Sequence, residues 1–476
     1  MGLNKRKTVV MKFGGTSVQN SESIGNVISI IQKNKANKII VVSAISKATN
    51  SLEEIARLSS QKKLIKAKTI LDLLVKRHQQ IINELVQNKK FNKAAHNKIK
   101  DYRNKILELI TGVSIINELS LRTLDSFRVF GELMSSTVIY YAMKNIGINV
   151  ELVDSRNIIK TDNEFSRAYP DFDITQMNFD TKVMPLIKKK KIVLSQGFIA
   201  STEDGIPTTM GRESSDFSAV IYGVLCNADE IQIWTDVDGV LTADPNLIKN
   251  ALKLAEISFQ EMEELSNFGA KVLHKNSIKP ALKKNIPLRV LNSKNTSSDG
   301  TIINSRLKYH NLVKSITYKK NIIVLRLKPK EGLNQYVFWE MMFNILSKHK
   351  PQVDIMVSSN NAIIIVIAEN NYTKIHYDDL KNEFEDISEY AFIKDKVLIT
   401  IVGSDLNRID NFEKRIFTSC SGIKAESIVF GFNQHSFSFL LDNKHFEATL
   451  KNLHSEFFEN HNKRTKLFQK TSDHIK

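Results

Sequence analysis

Apolar and polar positions along the chain repeat with periods that predict alternating strands and helices. Residues 8–13 (TVVMKF) and 38–44 (KIIVVSA) are apolar runs typical of buried strands. Between them, apolar side chains from Ile24 to Ile31 recur at i, i+3, i+4 and i+7, the spacing of an amphipathic helix. A strand, a helix and a second strand within about forty residues are typical of a parallel βαβ unit.

The same alternation continues to residue 306. Helical periodicity covers residues 52–130, and further buried strands are predicted at 148–154, 190–198, 230–236 and 286–293. Because parallel strands are joined by crossover helices, this order predicts an α/β domain with a mostly parallel sheet covered by helices.

The pattern changes near residue 306, after a polar stretch with turn residues (292–306) that is typical of a linker. Two shorter rounds of strand, helix, strand and strand follow, starting at NIIVLRL (321–327) and at KVLITIVG (396–403). These rounds predict two small α+β modules. The expected domains are therefore 1–306, 307–394 and 395–476.

The composition is that of a soluble, multidomain protein. The 476 residues exceed one ordinary core, and 42% hydrophobic with 25% charged residues is typical of globular chains. No run approaches the roughly 20 apolar residues of a membrane span, and the opening residues lack the apolar region of a secretory signal. Cys226 and Cys420 lie far apart in apolar surroundings, which indicates buried free thiols. We therefore expect a cytoplasmic protein without membrane contacts or a cysteine-bound metal.

The net charge of +17 raises the question of nucleic-acid binding. The excess is mostly lysine spread along the chain, and no basic module interleaved with aromatic residues is visible. A solvated basic surface is the favoured interpretation, so no nucleic-acid partner is expected. Attraction of anionic small molecules is compatible with the charge.

The stretch KFGGTS (12–17) carries groups suited to phosphate. Lys12 lies near the carboxyl end of the first predicted strand, Gly14 and Gly15 let the backbone approach a ligand, and Thr16 and Ser17 add hydroxyl donors. The Walker and GxGxxG patterns are absent from the sequence. On residue types alone, a phosphate site and an incidental turn both stay open.

A second stretch, TTMGRESSDFSA (208–219), precedes a helical pattern. Arg212 offers a planar fork for a carboxylate, and Ser214 and Ser215 lie where helix amides favour anions. Asp216 falls in the first turn, where it either caps the helix or orients Lys12.

Two later stretches complete the candidate chemistry. In WTDVDGVLTADP (234–245) a strand runs into Thr235 and Asp236. The three aspartates of this loop, Asp236, Asp238 and Asp244, suit a ribose, a nucleotide edge or a Mg²⁺–phosphate shell, with Asx-turns as the alternative. In FGAKVLH (268–274), Lys271 begins a helical pattern, either within reach of phosphates or merely solvated. Several such loops after parallel strands favour one shared anion site.

Phosphoryl transfer to a carboxylate fits these residues. No Ser–His–Asp order, HExxH or CxxC is visible in the sequence. A carboxyl group with a pKa of about 4 is already ionised at neutral pH and needs no general base. Positioning and charge neutralisation are then required, and lysine, arginine, backbone N–H groups and Mg²⁺ provide them.

The motifs in chain order are KFGGTS, VVSAISKATN, RTLDSFRVFGELMSS, QGFIASTEDGIPTTMGRESSD, IWTDVDGVLTADP and FGAKVLH. Over roughly residues 8–306 they resemble the aspartate kinases of the amino acid kinase fold family, and the trailing modules resemble paired ACT regulatory domains. The resemblance implies an α/β/α sandwich that phosphorylates the β-carboxylate of L-aspartate with ATP and Mg²⁺. It further implies an amino-acid effector at the ACT modules and a homodimer or larger assembly.

Carried onto matching positions, the resemblance assigns roles to individual residues. Lys12 neutralises the transferring phosphate, and Asp216 orients Lys12. Glu132 binds the ammonium of aspartate and Arg212 a carboxylate. The other aspartate-binding residues are Ser43, Thr49 and Ser215. The ATP-binding residues are Lys12, Gly14, Gly15, Thr16, Ser17, Thr235, Asp236, Asp244 and Lys271.

The chain departs from that family's pattern at several positions. Ser214 stands where glycine is usual, Asn246 where arginine is usual and Leu241 where tyrosine is frequent. In the first trailing module Asp354 is kept, but Asn360 stands in a glutamate position, so feedback inhibition by lysine is not expected. The catalytic residues are present and activity is expected. A degenerate ligand-binding protein and a different amino acid kinase stay open as alternatives.

Overall fold

The computed structural model describes residues 7–270, 272–273, 275–359, 362–368, 377–421, 427–430, 434–459 and 466–471. Up to residue 306 the strands, in chain order, are β1 (Thr8–Phe13), β2 (Asn37–Val42), β3 (Val150–Val153), β4 (Lys160–Thr161), β5 (Pro170–Asp171), β6 (Ile192–Gln196), β7 (Ile199–Ser201), β8 (Pro207–Thr209), β9 (Glu230–Thr235), β10 (Lys253–Leu254), β11 (Glu256–Ser258), β12 (Leu288–Asn292) and β13 (Thr301–Asn304). The helices are α1 (Ser21–Lys33), α2 (Ala48–Ser60), α3 (Leu64–Leu85), α4 (Lys89–Ile116), α5 (Leu121–Asn145), α6 (Phe172–Lys182), α7 (Met184–Lys188), α8 (Ser215–Leu225), α9 (Phe259–Asn267) and α10 (Ile278–Lys284).

The central sheet has the strand order β11–β13–β12–β9–β1–β2–β6–β3. Neighbours are parallel except β12 and β13, which are antiparallel. The short strands β5, β4, β7 and β8 form a separate sheet. Because β1 lies between β2 and β9, the carboxyl ends of these three strands meet at one edge, where open α/β sheets bind ligands.

Helices cover both faces of the central sheet. Val9, Met11 and Phe13 of β1 join the core shared with α1–α5, whereas Val10 joins the core shared with α6–α10. Side chains of a strand alternate between faces, so Lys12 points to the same side as Val10, toward α8. The two cores confirm the predicted α/β/α sandwich.

The helical prediction for residues 52–130 corresponds to α2–α5, and α5 continues to Asn145. The linker prediction for 292–306 is wrong in part, because Thr301–Asn304 forms β13. Thr301 and Ile303 are fully buried and pair with β12, so burial of this short segment outweighs its polar flanks. No helix in the described ranges is long and apolar enough to cross a membrane.

Beyond residue 306 the strands are β14 (Leu312–Pro329), β15 (Val353–Ser358), β16 (Ile363–Ala368), β17 (Ser388–Ser404), β18 (Ser427–Phe430), β19 (Ser436–Asp442) and β20 (Phe468–Gln469). The helices are α11 (Gln335–His349), α12 (Tyr377–Ile387), α13 (Phe412–Ser419) and α14 (Phe446–His454). Six of these strands form an antiparallel sheet in the order β15–β16–β14–β17–β19–β18, and β20 pairs with β10.

Two separate cores show that this sheet serves two α+β modules. Around Phe338 and Phe384, α11 and α12 pack on β14 and β16. Around Phe412 and Phe446, α13 and α14 pack on β17 and β19. The two modules confirm the second half of the predicted architecture.

The long strands β14 and β17 each contribute to both modules. Residues 312–319 of β14 pair with 398–404 of β17, and Val313 and Ile316 join the core of the second module. The domain bounds 306/307 and 394/395 stay predictions, and the second of them lies inside β17. Cys226 and Cys420 are free thiols, as predicted, but both are half-buried and not fully buried as expected.

Candidate active site

Lys12 and Asp216 meet where β1 ends and α8 begins. The Nζ of Lys12 lies 2.8 Å from Oδ1 of Asp216, and both side chains are largely buried. The contact follows from the fold, because Lys12 points to the α8 face and Asp216 is the second residue of α8. Ser214, the N-cap residue of α8, makes no side-chain capping bond. Asp216 therefore holds a lysine ammonium at the binding edge of the sheet.

The glycines after β1 bring the loop close to the exit of β2. A Cβ atom at Gly15 would lie 2.9 Å from the carbonyl oxygen of Ala44, so any side chain there would push the two loops apart. The N–H of Ser17 donates to the carbonyl of Gly14 at 3.0 Å, which closes a turn. The hydroxyl of Ser17 is buried and lies 2.8 Å from the hydroxyl of Ser293. The turn and the ligand-binding interpretations are thus compatible.

Glu132 of α5 places a buried carboxylate beside the exit of β2. Its Oε1 accepts a hydrogen bond from the N–H of Ala44 at 3.1 Å, and its Oε2 has no hydrogen-bond partner among the described residues. Burial raises the pKa of Glu132 to about 8, against a smaller lowering by the Ala44 N–H. The group is therefore mostly protonated at neutral pH, and an ammonium ligand would favour its ionised form.

Arg212 lies on the loop between β8 and α8, with 74% of its side chain exposed. Its Nη2 donates to Oε2 of Glu53 at 2.7 Å. A guanidinium has further N–H donors, which can take a carboxylate in a bidentate pair.

These groups line one cavity of about 520 Å³ at the carboxyl ends of β1, β2 and β9. Its lining includes most of the predicted site: Lys12, Gly14, Gly15, Thr16, Ser43, Thr49, Glu132, Arg212, Ser215, Asp216 and Thr235. Ser17 is not among the described residues that line it. A single crevice therefore holds the Lys12–Asp216 ion pair, the buried carboxyl group of Glu132 and the exposed guanidinium of Arg212.

A second cavity of about 720 Å³ shares Thr235 and Val272 with the first. Asp236 and Asp244 line it from the loop after β9, and residues 315–320 of β14 line it from the other side. Lys271 lies outside the described residues. The predicted nucleotide residues are therefore divided between two adjoining cavities, and the larger one is bounded in part by the C-terminal sheet.

Asp244 is held by the protein's own donors. The hydroxyl of Tyr318 donates to its Oδ2 at 2.8 Å, and the backbone N–H and side-chain amide of Asn246 donate to its Oδ1 at 2.9 and 3.0 Å. Burial and the neighbouring carboxylate both raise the pKa of Tyr318, so the phenol stays protonated as the donor. Asp244 thus joins the loop after β9 to β14.

Comparison with known proteins identifies the family. Residues 7–292 match the amino acid kinase family. Chloroplastic aspartokinase 3 of Arabidopsis thaliana is 30% identical, over 96% of this chain and 82% of its own length. The chain belongs to the amino acid kinase family and, within it, to the aspartokinases. Lysine-sensitive aspartokinase 3 of Escherichia coli is 26% identical, over 95% of this chain and 99% of that protein.

Solved structures agree with this assignment. The crystal structure of E. coli aspartokinase III in complex with aspartate and ADP (R-state) matches with a TM-score of 0.85 at 25% identity, over 95% of this chain and 100% of that chain. The complex of the same enzyme with lysine and aspartate (T-state) matches with a TM-score of 0.77 at 26% identity. The likeness spans both the sandwich and the C-terminal sheet of this aspartokinase.

Glu53 and Arg128 are among the residues of the site that reasoning from the sequence missed. Glu53 lines the smaller cavity, and Arg128 forms an ion pair with Glu53. Thr49 and Glu53 are four residues apart on α2, as are Arg128 and Glu132 on α5, so each pair shares a helix face. That spacing is a usable signal, because one member of each pair was already a candidate.

Proposed function

We propose that the chain transfers the γ-phosphoryl group of ATP to the β-carboxylate of L-aspartate, giving 4-phospho-L-aspartate and ADP. The product is the first intermediate on the way to lysine, threonine and methionine. The observation that carries the proposal is the contact of Lys12 with Asp216 inside the cavity that Glu132 and Arg212 also line. The complex of E. coli aspartokinase III with aspartate and ADP supports the same two ligands here.

Lys12 and Asp216 carry the transfer step in this proposal. A bond forms between a β-carboxylate oxygen and the γ-phosphorus, and the bond from that phosphorus to the β–γ bridging oxygen breaks, so that the electron pair leaves with ADP. No proton has to move, because the attacking carboxylate is ionised at neutral pH. Lys12 neutralises charge on the phosphoryl oxygens, and Asp216, 2.8 Å away, holds its ammonium in place. Gly14, Gly15 and Thr16 let the backbone approach the phosphates.

Oppositely charged anchors hold aspartate. Glu132 is 3% exposed and has an unpartnered Oε2 among the described residues, which suits the substrate ammonium. Arg212 takes the α-carboxylate at the mouth of the cavity. Hydroxyl groups in the lining between them, from Ser43, Thr49 and Ser215, bind the remaining polar atoms.

ATP extends from the smaller cavity into the larger one. Thr235, which lines both, marks the passage, and Asp236 and Asp244 line the nucleotide side. Lys271, outside the described residues, and the turn at Ser17 belong to the same proposed site.

Mg²⁺ is proposed to enter with ATP. Within the described ranges no group of three His, Cys, Asp or Glu side chains could hold a metal ion. In this proposal Mg²⁺ is held mainly by phosphate oxygens and water, and the exposed carboxylate of Asp236 can add one protein ligand. When bound, the ion neutralises charge on the phosphates.

The C-terminal modules are proposed to pair two copies of the chain and to bind an amino-acid effector. Helix α11 exposes Tyr336, Val337 and Met341, an apolar group suited to such pairing. Free lysine is not the expected effector, because Asn360 stands where a glutamate is usual in the family and Asp354 is already ion-paired with Lys319 at 2.6 Å. Asn360 itself lies outside the described residues. A thermal-shift series with lysine, threonine and methionine tests this. We also propose a cytoplasmic location.

An acyl phosphate trap tests the function. With ATP, aspartate and hydroxylamine, the chain should form aspartyl hydroxamate, and the variant Lys12→Ala should not. ADP release is measured in parallel with aspartate, acetylglutamate, carbamate and UMP. No hydroxamate above the Lys12→Ala control would favour a ligand-binding protein without turnover. Faster ADP release with another acceptor would favour a different amino acid kinase.

A further inference from the structure

The strand that leads to Arg212 and the guanidinium of Arg212 are held by different helices. Three residues before Arg212, Thr209 at the end of β8 donates through its N–H and its hydroxyl to the buried carboxylate of Asp125 on α5, at 2.9 and 2.7 Å. At its tip, Nη2 of Arg212 donates to Glu53 at 2.7 Å. Among the described residues, Glu53 is the acceptor that Arg212 contacts.

Glu53 is itself held in place. Its Oε1 accepts a hydrogen bond from Nε of Arg128 at 2.8 Å and lies 2.7 Å from Nη2 of the same guanidinium, which leaves Oε2 for Arg212. Arg128 in turn donates from Nη1 to Asp125 at 3.2 Å and to the hydroxyl of Ser166 at 2.8 Å. The carboxylate of Glu53 is therefore a preset acceptor at the cavity wall and not a mobile surface group.

The charges alternate along this row: Asp125, Arg128, Glu53 and Arg212. The exposed fraction of the side chains rises from 0% at Asp125 to 11% at Arg128, 20% at Glu53 and 74% at Arg212. The row ends at the cavity on a guanidinium that uses one nitrogen for Glu53. A second carboxylate that approached its free edge would continue the alternation, with no rearrangement of the buried members.

We propose that Glu53 is a positioning residue for the amino-acid substrate. It holds Arg212 over the cavity so that the free guanidinium edge receives the α-carboxylate, and it spares substrate binding the cost of ordering a long, exposed side chain. The inference rests on the proposed role of Arg212. The opposite role, in which Glu53 competes with the substrate for Arg212, predicts a change of opposite sign.

The variant Glu53→Gln tests the proposal. The two arginines contact different oxygens of Glu53, and glutamine replaces one of these oxygens with an NH2 group, which donates and does not accept, so Arg212 or Arg128 loses its acceptor. We expect the KM for aspartate to rise about 5- to 10-fold, with the KM for ATP changed less than about twofold. Glu54→Gln is the matched control, because Glu54 lies on the same helix, pairs with Arg57 and does not line the cavity. This control should leave both KM values unchanged.

A double-variant cycle separates positioning from a merely structural role. In an Arg212→Ala background, Glu53→Gln should raise the aspartate KM by less than about twofold, because its target is gone. An equal rise in both backgrounds, an unchanged KM or a lower KM in the single variant would overturn the proposal. If Glu53→Gln lowers the melting temperature below the assay range, Glu53→Asp replaces it, with a smaller rise expected and the same cycle applied.

The outcomes also distinguish this inference from the proposed function. A wild-type chain that forms aspartyl hydroxamate, together with an Arg212→Ala effect confined to aspartate, supports the function whatever Glu53 does. Aspartate binding by calorimetry, without ATP, gives a second readout that is independent of turnover.

Discussion

The two adjoining cavities differ in which parts of the chain form them. The smaller cavity is lined by residues from 12 to 273, all within the span matched to the amino acid kinase family. The larger one has Asp236 and Asp244 on one side and Ser315–Lys320 of the C-terminal sheet on the other. The groups proposed for chemistry thus belong to the sandwich alone, whereas the nucleotide side is shared with the modules.

Residues 315–320 of β14 form the wall that the larger cavity shares with the C-terminal sheet, and hydrogen bonds join this shared wall to the loop after β9. The hydroxyl of Ser315 donates to the carbonyl of Leu241 at 2.8 Å, and the N–H of Ile316 donates to the carbonyl of Thr242 at 2.8 Å. Gly269 has a positive φ of 118°, and a Cβ there would lie 2.1 Å from the carbonyl oxygen of Tyr318. A glycine is required for α9 to end against β14. A shift of β14 would therefore change the larger cavity, on the nucleotide side, before it changes the smaller one.

Removal of the Lys12 ammonium should give the largest effect. We expect Lys12→Ala to lower kcat about 10³-fold, because phosphoryl transfer depends on charge neutralisation at the transferring group. Steady-state kinetics measures the effect, with Lys33→Ala, an exposed lysine in the last turn of α1, as the control. A loss below about tenfold would mean that the smaller cavity does not hold the reacting phosphate.

Arg212→Ala should affect one substrate and not the other. A charge-assisted bond to the α-carboxylate is worth about 1.5–3 kcal/mol, so the KM for aspartate should rise about 10- to 100-fold while the KM for ATP stays within about twofold. Initial rates over a grid of both substrates give the two constants. Equal rises would contradict the separation of the two cavities.

Glu132 should make aspartate binding depend on pH. Its pKa of about 8 means that the free enzyme carries a proton there, which the substrate ammonium displaces. The KM for aspartate should therefore fall, by up to about tenfold, as the pH rises from about 6.5 to about 8, and calorimetry in buffers of different ionisation enthalpy should detect the released proton. Glu132→Gln should bind more weakly and without this trend. A pH-independent KM in the wild-type chain would contradict the buried, protonated state.

The same group fixes the sign of a stability trend. The folded protein retains the Glu132 proton up to a pH of about 8, whereas the unfolded chain loses it near its ordinary value of 4.5. Within that window the folded state binds more protons, so the free energy of unfolding falls as the pH rises. Between about pH 5 and about pH 8, the melting temperature of the ligand-free wild-type chain should therefore fall relative to that of Glu132→Gln, which has no titrating group at this position. A constant difference would contradict the linkage.

The meeting of Lys12 with Asp216 was within reach of the sequence. The strand pattern places Lys12 at the end of β1 on the side of Val10, and the next anion-type loop starts a helix with Asp216. Parallel connectivity then brings both to one edge of the sheet. Local periodicity and the rules of α/β topology suffice for this part of the site.

The first part of β14 was out of reach for a physical reason. Lys314 interrupts the apolar pattern there and resembles a solvent-facing residue in the sequence. In the fold it is fully buried, and its Nζ lies 2.8 Å from Oε2 of Glu261, 53 positions earlier and also fully buried. A lysine is buried only with a partner of opposite charge, and periodicity does not reveal a partner so distant in the chain. The shared wall of the larger cavity was therefore missed.

Tyr318→Phe should produce the smallest and most selective change. It removes the hydroxyl bond to Asp244 and keeps the ring that packs on Phe446, with ring centroids 4.6 Å apart. The lost bond is worth about 1 kcal/mol, so the KM for ATP should rise about 3- to 5-fold. The KM for aspartate should stay unchanged, because the hydroxyl lies outside the smaller cavity.

Tyr309→Phe is the control, because Tyr309 lies outside both cavity linings. Equal rises in both KM values for Tyr318→Phe would mean that β14 supports the whole crevice and that the division between the cavities is wrong. A rise confined to the KM for ATP would show that the C-terminal modules influence the reaction through the bound nucleotide. An effector that moves β14 would then change ATP binding before it changes aspartate binding, because Asp244 is the residue that β14 holds.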